Sequence, residues 1–152
     1  MTDVKFVTAR ENALNLIGAV PNYSQIATDL RKRRILYNPN LPDRGQASLL
    51  GRITLGPEVL EGRPNEVLVG VAGTLVHELY HCRQNPFLKT VSFWLGITTR
   101  THPMRRYERP AYQAHSAFLM ALAQSQPLLA EAAFLEQQAV HASFHAVYGC
   151  EL

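Results

Sequence analysis

Apolar residues recur at helical spacing through residues 3–18, at Val4, Val7, Ala13, Leu14 and Ile17, and the pattern ends near Gly18. A second short helix is expected from Ser24 to Arg34, with Ser24 as its cap. The texture then changes. Ile35-Leu36-Tyr37 has strand character, NPNLPDRG is dense in breakers, and SLLGRITLGP contains a second strand around Arg52 to Leu55. After a loop over Glu61 to Pro64, a long helix runs to about Gln84, and Pro86 stops it. Residues 87–97, FLKTVSFWLGI, read as a short helix or a folded-over loop in which Phe87, Phe93 and Trp94 cover the core. Two more helices follow, about Arg106 to Gln126 and about Leu128 to Tyr148, divided at Pro127. The pattern adds up to a single α+β, mainly helical domain over residues 1–152 with a sheet or hairpin of two or three strands.

Composition narrows this reading little. A chain of 152 residues suits one core, and 47% hydrophobic with 18% charged residues is the balance of a folded domain. The net charge of +3 does not by itself point to nucleic acid. The run Arg31-Lys32-Arg33-Arg34 reads first as a solvated helix end near the negative pole of the helix dipole. Two cysteines, Cys82 and Cys150, are too few for a disulfide framework. The start MTDVKFVTAR lacks the apolar segment of a secretory signal, and no stretch nears the roughly 18 apolar residues of a membrane span. A soluble protein is expected, one that another machine or a larger parent polypeptide must deliver if it acts outside its cell.

The long helix carries the chemistry. In GTLVHELYHCRQ, His77 and His81 stand four residues apart and project from nearly the same angle of a helix, so both imidazoles can meet one Zn2+ ion. Glu78 sits about 100° around the helix, poorly placed as a ligand and well placed to take a proton from a metal-bound water. Leu68, Ala72, Leu75, Val76 and Leu79 give the helix its core-facing side. Gly70 and Gly73 share the direction of His77. Each costs a helix about 1 kcal/mol against alanine, so a close neighbour is expected on that face.

Two histidines leave a catalytic zinc site one protein ligand short. A third histidine six residues after His81, with a glycine between, is excluded because Phe87 and Gln84 hold those positions. A deformylase-type cysteine upstream of the motif is absent. A glutamate on a later helix remains, and Glu108 in RRYERPAYQAH is the best placed, 27 residues beyond His81. Glu108, Ala111, Tyr112 and His115 share one helical stripe, with Ala111 small enough to pack against the glycine face. Glu131 and Glu136 belong to the last helix, and Glu58, Glu61 and Glu66 precede the motif, so all five compete poorly.

HELYHCRQ followed by YERPAYQA resembles the gluzincin class of zinc metallopeptidases, and most closely the compact metallopeptidase domains of bacterial polymorphic toxins and type VI secretion effectors. The resemblance covers about residues 73–119. It implies a minimal zincin-like fold, Zn2+ held by His77, His81 and Glu108, and Glu78 as general base. It also implies a protein or peptide substrate, cell-wall peptide included, and a cognate immunity protein or secretion-machine carrier as partner. Delivery into the cytoplasm or periplasm of a target cell would follow. Pro110 departs from the pattern and requires Glu108 to lie at the very start of its helix. In zincins an edge strand before the active-site helix usually pairs with substrate, and Gly51 to Leu55 is the segment expected to do so here.

An oxyanion donor is also needed, and Tyr112 and His115 rank ahead of His102 and Tyr107 because they share the Glu108 stripe. HASFH, with His141 and His145, has Ala142 where a base would stand and reads as helix surface or packing. Cys82 reads as a buried small side chain. The rival to a peptidase is a non-catalytic, zinc-stabilised binding module that touches nucleic acid through Arg31 to Arg34. A related variant of the peptidase reading would use His102 or His115 in place of Glu108.

Overall fold

A computed structural model of the protein describes residues 4–152. The helix expected from residue 3 therefore begins, among the described residues, at Val4, and α1 runs Val4–Ala19. It turns Phe6, Ala13, Leu14 and Ile17 inward. Val4, expected on the inner stripe, is 78% exposed; Phe6 takes that role and stacks on Tyr37 with ring centroids 5.4 Å apart. α2 spans Ser24–Arg31 rather than reaching Arg34. Its cap position is Tyr23, and no side chain caps it; Ser24 is already the first helical residue, and its carbonyl accepts from Thr28.

Three short strands follow: β1 (Ile35–Tyr37), β2 (Gly45–Ala47) and β3 (Ile53–Leu55). Their order is β1-β3-β2, with β1 parallel and β2 antiparallel to β3. This overturns the expected substrate strand. β3 is the central strand, its Ile53 and Leu55 fully buried and its backbone paired on both sides, so it has no free edge to offer. β2, whose Gly-Gln-Ala sequence lacks strand character, is recruited to the edge by that pairing.

α3 (Pro64–Arg83) is the axis of the molecule. Pro64 occupies the first helical position, and Glu66 accepts from the Arg63 backbone N–H at 2.9 Å, so the start is fixed before any packing. From Val69 to Val76 every residue is buried, because α1, α5, α6 and β2 surround the helix. α4 (Phe87–Thr99), α5 (Arg105–Ser125) and α6 (Ala130–Tyr148) complete the domain, with a tight 3-10 turn at Pro127–Leu129. One continuous core of α1, α2, the sheet, α3, α5 and α6 side chains results.

α4 differs from its expectation. Phe87, Phe93 and Trp94 do not cover the core; they are 76%, 44% and 61% exposed. The helix is held instead by its two small buried residues: the Ser92 hydroxyl donates to the Pro103 carbonyl at 2.7 Å, and Gly96 lies against Pro103. No helix among the described residues is long and apolar enough to cross a membrane.

Phe118 is fully buried and meets Tyr23 edge to face at 5.1 Å, tying α5 to the α1–α2 turn. Phe118→Ala is expected to cost about 3–5 kcal/mol of stability, read as a fall in urea midpoint with an unchanged slope.

Candidate metal centre

α3 and α5 cross so that three ligand atoms converge. His81 Nε2 lies 3.1 Å from His77 Nε2 and 3.0 Å from Glu108 Oε2, and His77 Nε2 lies 3.5 Å from the same carboxylate oxygen. Tetrahedral ligands at zinc's usual 2.0–2.1 Å stand about 3.4 Å apart, so the observed spacing suits one small cation. This trio forms the one such cluster among the described residues. Glu108 is the third member; His102 lies against Tyr148 at 4.8 Å, and His115 is buried behind His77, their ring centroids 6.0 Å apart.

The helix geometry that Pro110 demands is met in part. α5 starts at Arg105 and the Glu108 N–H bonds the Met104 carbonyl at 2.9 Å, so Glu108 closes the first turn. Pro110 falls in the second turn, where its missing N–H leaves the Arg106 carbonyl without its helical partner.

Gln84, which in the sequence excludes one zinc pattern and closes the motif HELYHCRQ, orients the site. Its amide nitrogen donates to the Tyr107 carbonyl at 2.9 Å, which fixes the amide and turns Oε1 toward His81 Nδ1 at 2.6 Å. An amide oxygen only accepts, so Nδ1 carries the proton and the lone pair of a neutral His81 sits on Nε2, facing the other ligands. Tyr107 also stacks on the His81 ring at 4.9 Å. The spacing of three residues after His81, one turn of helix, is the signal in the sequence for this role.

Protonation follows the same geometry. Burial pushes the His77 imidazole down to about 4, against the opposing pull of Glu108. Burial also depresses His81, but the Glu108 and Gln84 contacts outweigh it and leave it raised. The Glu108 carboxyl, raised by burial, is brought down to about 2 by the two histidines. When no cation lies between them, a proton on His81 reconciles these converging lone pairs.

Glu78 stands beside the trio, only 6% exposed, and burial lifts its carboxyl to about 7. A backbone hydrogen bond from Ala47 in β2 opposes that rise. Gly45 makes the approach feasible: a Cβ there would lie 2.8 Å from Glu78 Oε1 and from Thr74 Cγ2. A carboxylate near neutrality, held at the side of the ligand trio, has the position and basicity of a general base.

The glycine face of α3 does meet close neighbours, His115 and Arg44 nearest of all. A Cβ on Gly73 would overlap His115 Nε2, and one on Gly70 would lie 2.9 Å from Arg44 Nη2. Both intruders belong to one network. Arg44 grips Glu136 of α6 with two hydrogen bonds, 2.7 and 3.2 Å, and Glu136 Oε1 lies 3.4 Å from His115 Nε2. Burial raises the Glu136 carboxyl, but His115 and Arg44 overcome it and hold it at about 2. His115 thus faces Gly73 and Glu136 with this nitrogen, which has no well-formed hydrogen bond. Tyr112 packs edge-on to His77 at 4.9 Å and lines the cleft, as does Tyr148, which no motif in the sequence marks.

The cleft holds about 590 Å³ and is walled by Asp43 to Ala47, the ligand trio, Glu78, Tyr112 and α6. The second histidine pair takes no part: His141 Nε2 lies 3.5 Å from the Ser116 hydroxyl, and His145 Nδ1 lies 3.5 Å from Glu151. Cys82 and Cys150 are both unpaired thiols, Cys82 half-buried against the core.

Gly73→Ala gains about 1 kcal/mol of helix propensity, yet His115 has no room to retreat, so a net loss of stability and of zinc affinity is expected. Glu136→Gln leaves Arg44 only its longer pairing with Glu58, Nε to Oε1 at 3.7 Å, and should cost about 1–3 kcal/mol at pH 7. Because the Glu136 carboxyl is depressed on folding, its contribution is complete above its unfolded value near 4.5 and fades as pH falls toward 2. Urea midpoints of wild type and Glu136→Gln should therefore differ at pH 6 and converge below pH 4.5. Comparison of the chain with protein-family models, curated proteins and solved structures finds no match.

Proposed function

We propose that the protein is a zinc-dependent peptidase, more suited to internal peptide bonds than to chain ends. The observation that carries this reading is the convergence of His77, His81 and Glu108 within 3.5 Å beside a buried carboxylate, Glu78. Two imidazoles and one carboxylate are the donor set of hydrolytic zinc sites that leave a fourth position open. Zinc held there would polarise a carbonyl and acidify water.

The chain's own groups supply the rest. Glu78, near neutrality, accepts a proton at the start of hydrolysis and returns it to the departing amine. Tyr112, on the wall of the cleft and raised above its ordinary range by burial, keeps its hydroxyl proton and is the donor for the developing oxyanion. His115 also lines the cleft, but its Nε2 is turned to Gly73 and Glu136, so its part is to support His77 and the α3–α6 contact.

β2 replaces β3 as the strand that would receive a peptide. It pairs with β3 on one side only, and Gly45, Gln46 and Ala47 line the cleft. An extended peptide added to that edge would pass the ligand trio with its backbone hydrogen-bonded.

Purified protein is expected to bind one zinc ion per chain, with the stoichiometry lost in His77→Ala and sharply weakened in Glu108→Ala. Glu78→Gln should keep the metal and lose at least about a hundredfold in cleavage of an unstructured protein such as casein. Full activity in Glu78→Gln, or zinc binding undisturbed in His77→Ala, overturns the reading.

A further inference from the structure

A second hollow, of about 600 Å³, opens where α2 gives way to the sheet, and it shares no lining residue with the cleft. Lys32, Arg33, Arg34 and Arg52 line it together with Asp29, Ser48, Leu50 and Gly51. The register of the sheet explains the gathering. Ile35 and Ile53 are partners in the parallel β1–β3 pair, so Arg34 and Arg52, one residue before each, enter the sheet side by side. The Ile53 N–H donates to the Arg34 carbonyl at 3.0 Å. Gly51, with φ of 73°, turns the chain into β3, and the Arg33 guanidinium occupies the space that a Cβ there would fill.

The surrounding cations are neutralised; these are not. Arg31 binds Glu11 and Asn15, Arg10 binds Glu11, and Arg83 pairs with Asp29, which also accepts from Gln25. The nearby acids are thereby engaged. Lys32, Arg33, Arg34 and Arg52 form no ion pair or side-chain hydrogen bond among the described residues. The negative end of the α2 dipole lies beside Lys32, the C-cap residue, but Arg52 comes from the entry to β3 and owes nothing to it. Four like charges around one concavity, Lys32, Arg34 and Arg52 exposed and Arg33 partly so, concentrate positive potential that an anion would answer.

We propose that this hollow binds a compact ligand bearing clustered phosphates, with Arg34 and Arg52 as the paired guanidinium forks that grip them. Guanidinium forks match phosphate oxygens two at a time, and the volume is that of a small-molecule site. The same chemistry is offered by a soluble polyphosphate and by a phosphorylated lipid headgroup. Leu49 and Leu50, 88% and 96% exposed on the adjoining turn, give the second source a means of anchoring.

Titration of the full chain with inorganic tripolyphosphate, by calorimetry and by thermal shift, tests the site without reference to hydrolysis. Saturable one-to-one binding is expected, weakened about tenfold or more in Arg34→Gln and in Arg52→Gln and unchanged in the distant Arg106→Gln. At low salt and without ligand, Arg52→Gln should melt no lower than wild type, because removing a charge relieves repulsion. Vesicles of phosphatidylcholine with a phosphorylated inositol lipid separate the two sources. Binding to them but not to equally charged phosphatidylglycerol vesicles, lost in Leu50→Ser, supports the headgroup. Tripolyphosphate binding without vesicle binding supports the soluble ligand. Failure to bind either probe, binding only to oligonucleotides, or equal binding by the Arg34 and Arg52 variants overturns the proposal.

Discussion

Three electron-rich atoms that ought to repel stand within 3.5 Å of one another at the crossing of α3 and α5. α1, α6 and β2 pack around α3 and, with α5, hold that crossing. A shared cation, or a proton held on His81, would reconcile the two imidazole nitrogens with the carboxylate oxygen at this spacing. The helices are therefore fixed by other forces before the ligands gain anything: the all-round burial of α3, the Phe118 contact across α5, and the Gln84 amide that bridges the end of α3 to the start of α5. Gln84 does several of these jobs at once. One side chain joins two helices, sets the tautomer of His81 and turns its free lone pair toward the partners.

The same crossing explains where the polar groups are buried. Arg44 and Glu136, partly buried, and His115, fully so, would be an odd set to place together, since such a pair gains little over apolar packing. Their positions make sense as a brace. Arg44 comes from the segment leading into β2, Glu136 from α6 and His115 from α5, and both Gly70 and Gly73 of α3 give up side chains so that the brace can pass. The edge strand, α3, α5 and α6 are thus tied at one point behind the candidate metal face. Glu78 gains its basicity from the same closeness, because β2 seals it from water while Gly45 leaves room for its carboxylate.

How much of this can be read from the chain follows a physical rule. Features carried by one helix are legible: the angle shared by His77 and His81, the offset of Glu78, the stripe of Glu108, Tyr112 and His115, and the demand that something approach Gly73. Features carried by contacts between distant segments are not. β2 has no strand propensity of its own and exists because β3 needs a partner, so the chain's pattern points to a substrate edge one strand too late. Glu136 reads as one more acid of the last helix, yet α6 folds back across α3 and places it behind the site. The pattern in α4 misleads for a related reason. Apolar periodicity reports a face that wants covering, and here Ser92 and Gly96 dock the helix while its large side chains stay outside.

The basic run at the end of α2 shows the rule from the other side. As a string, Arg31 to Arg34 invites one explanation for all four residues, and a helix terminus is a sufficient cause. Folding divides them. Arg31 remains in the helix and finds Glu11, whereas the chain leaves the helix before Arg33 and Arg34, and the parallel register brings Arg52 alongside from the entry to a later strand. Local sequence sets how many charges there are; strand register decides which of them face the same space. The candidate metal site arises in the same way, since His77 and His81 are a local fact and Glu108 a topological one. In both places a pair from one segment is completed by a residue from another, so the group exists only in the folded chain.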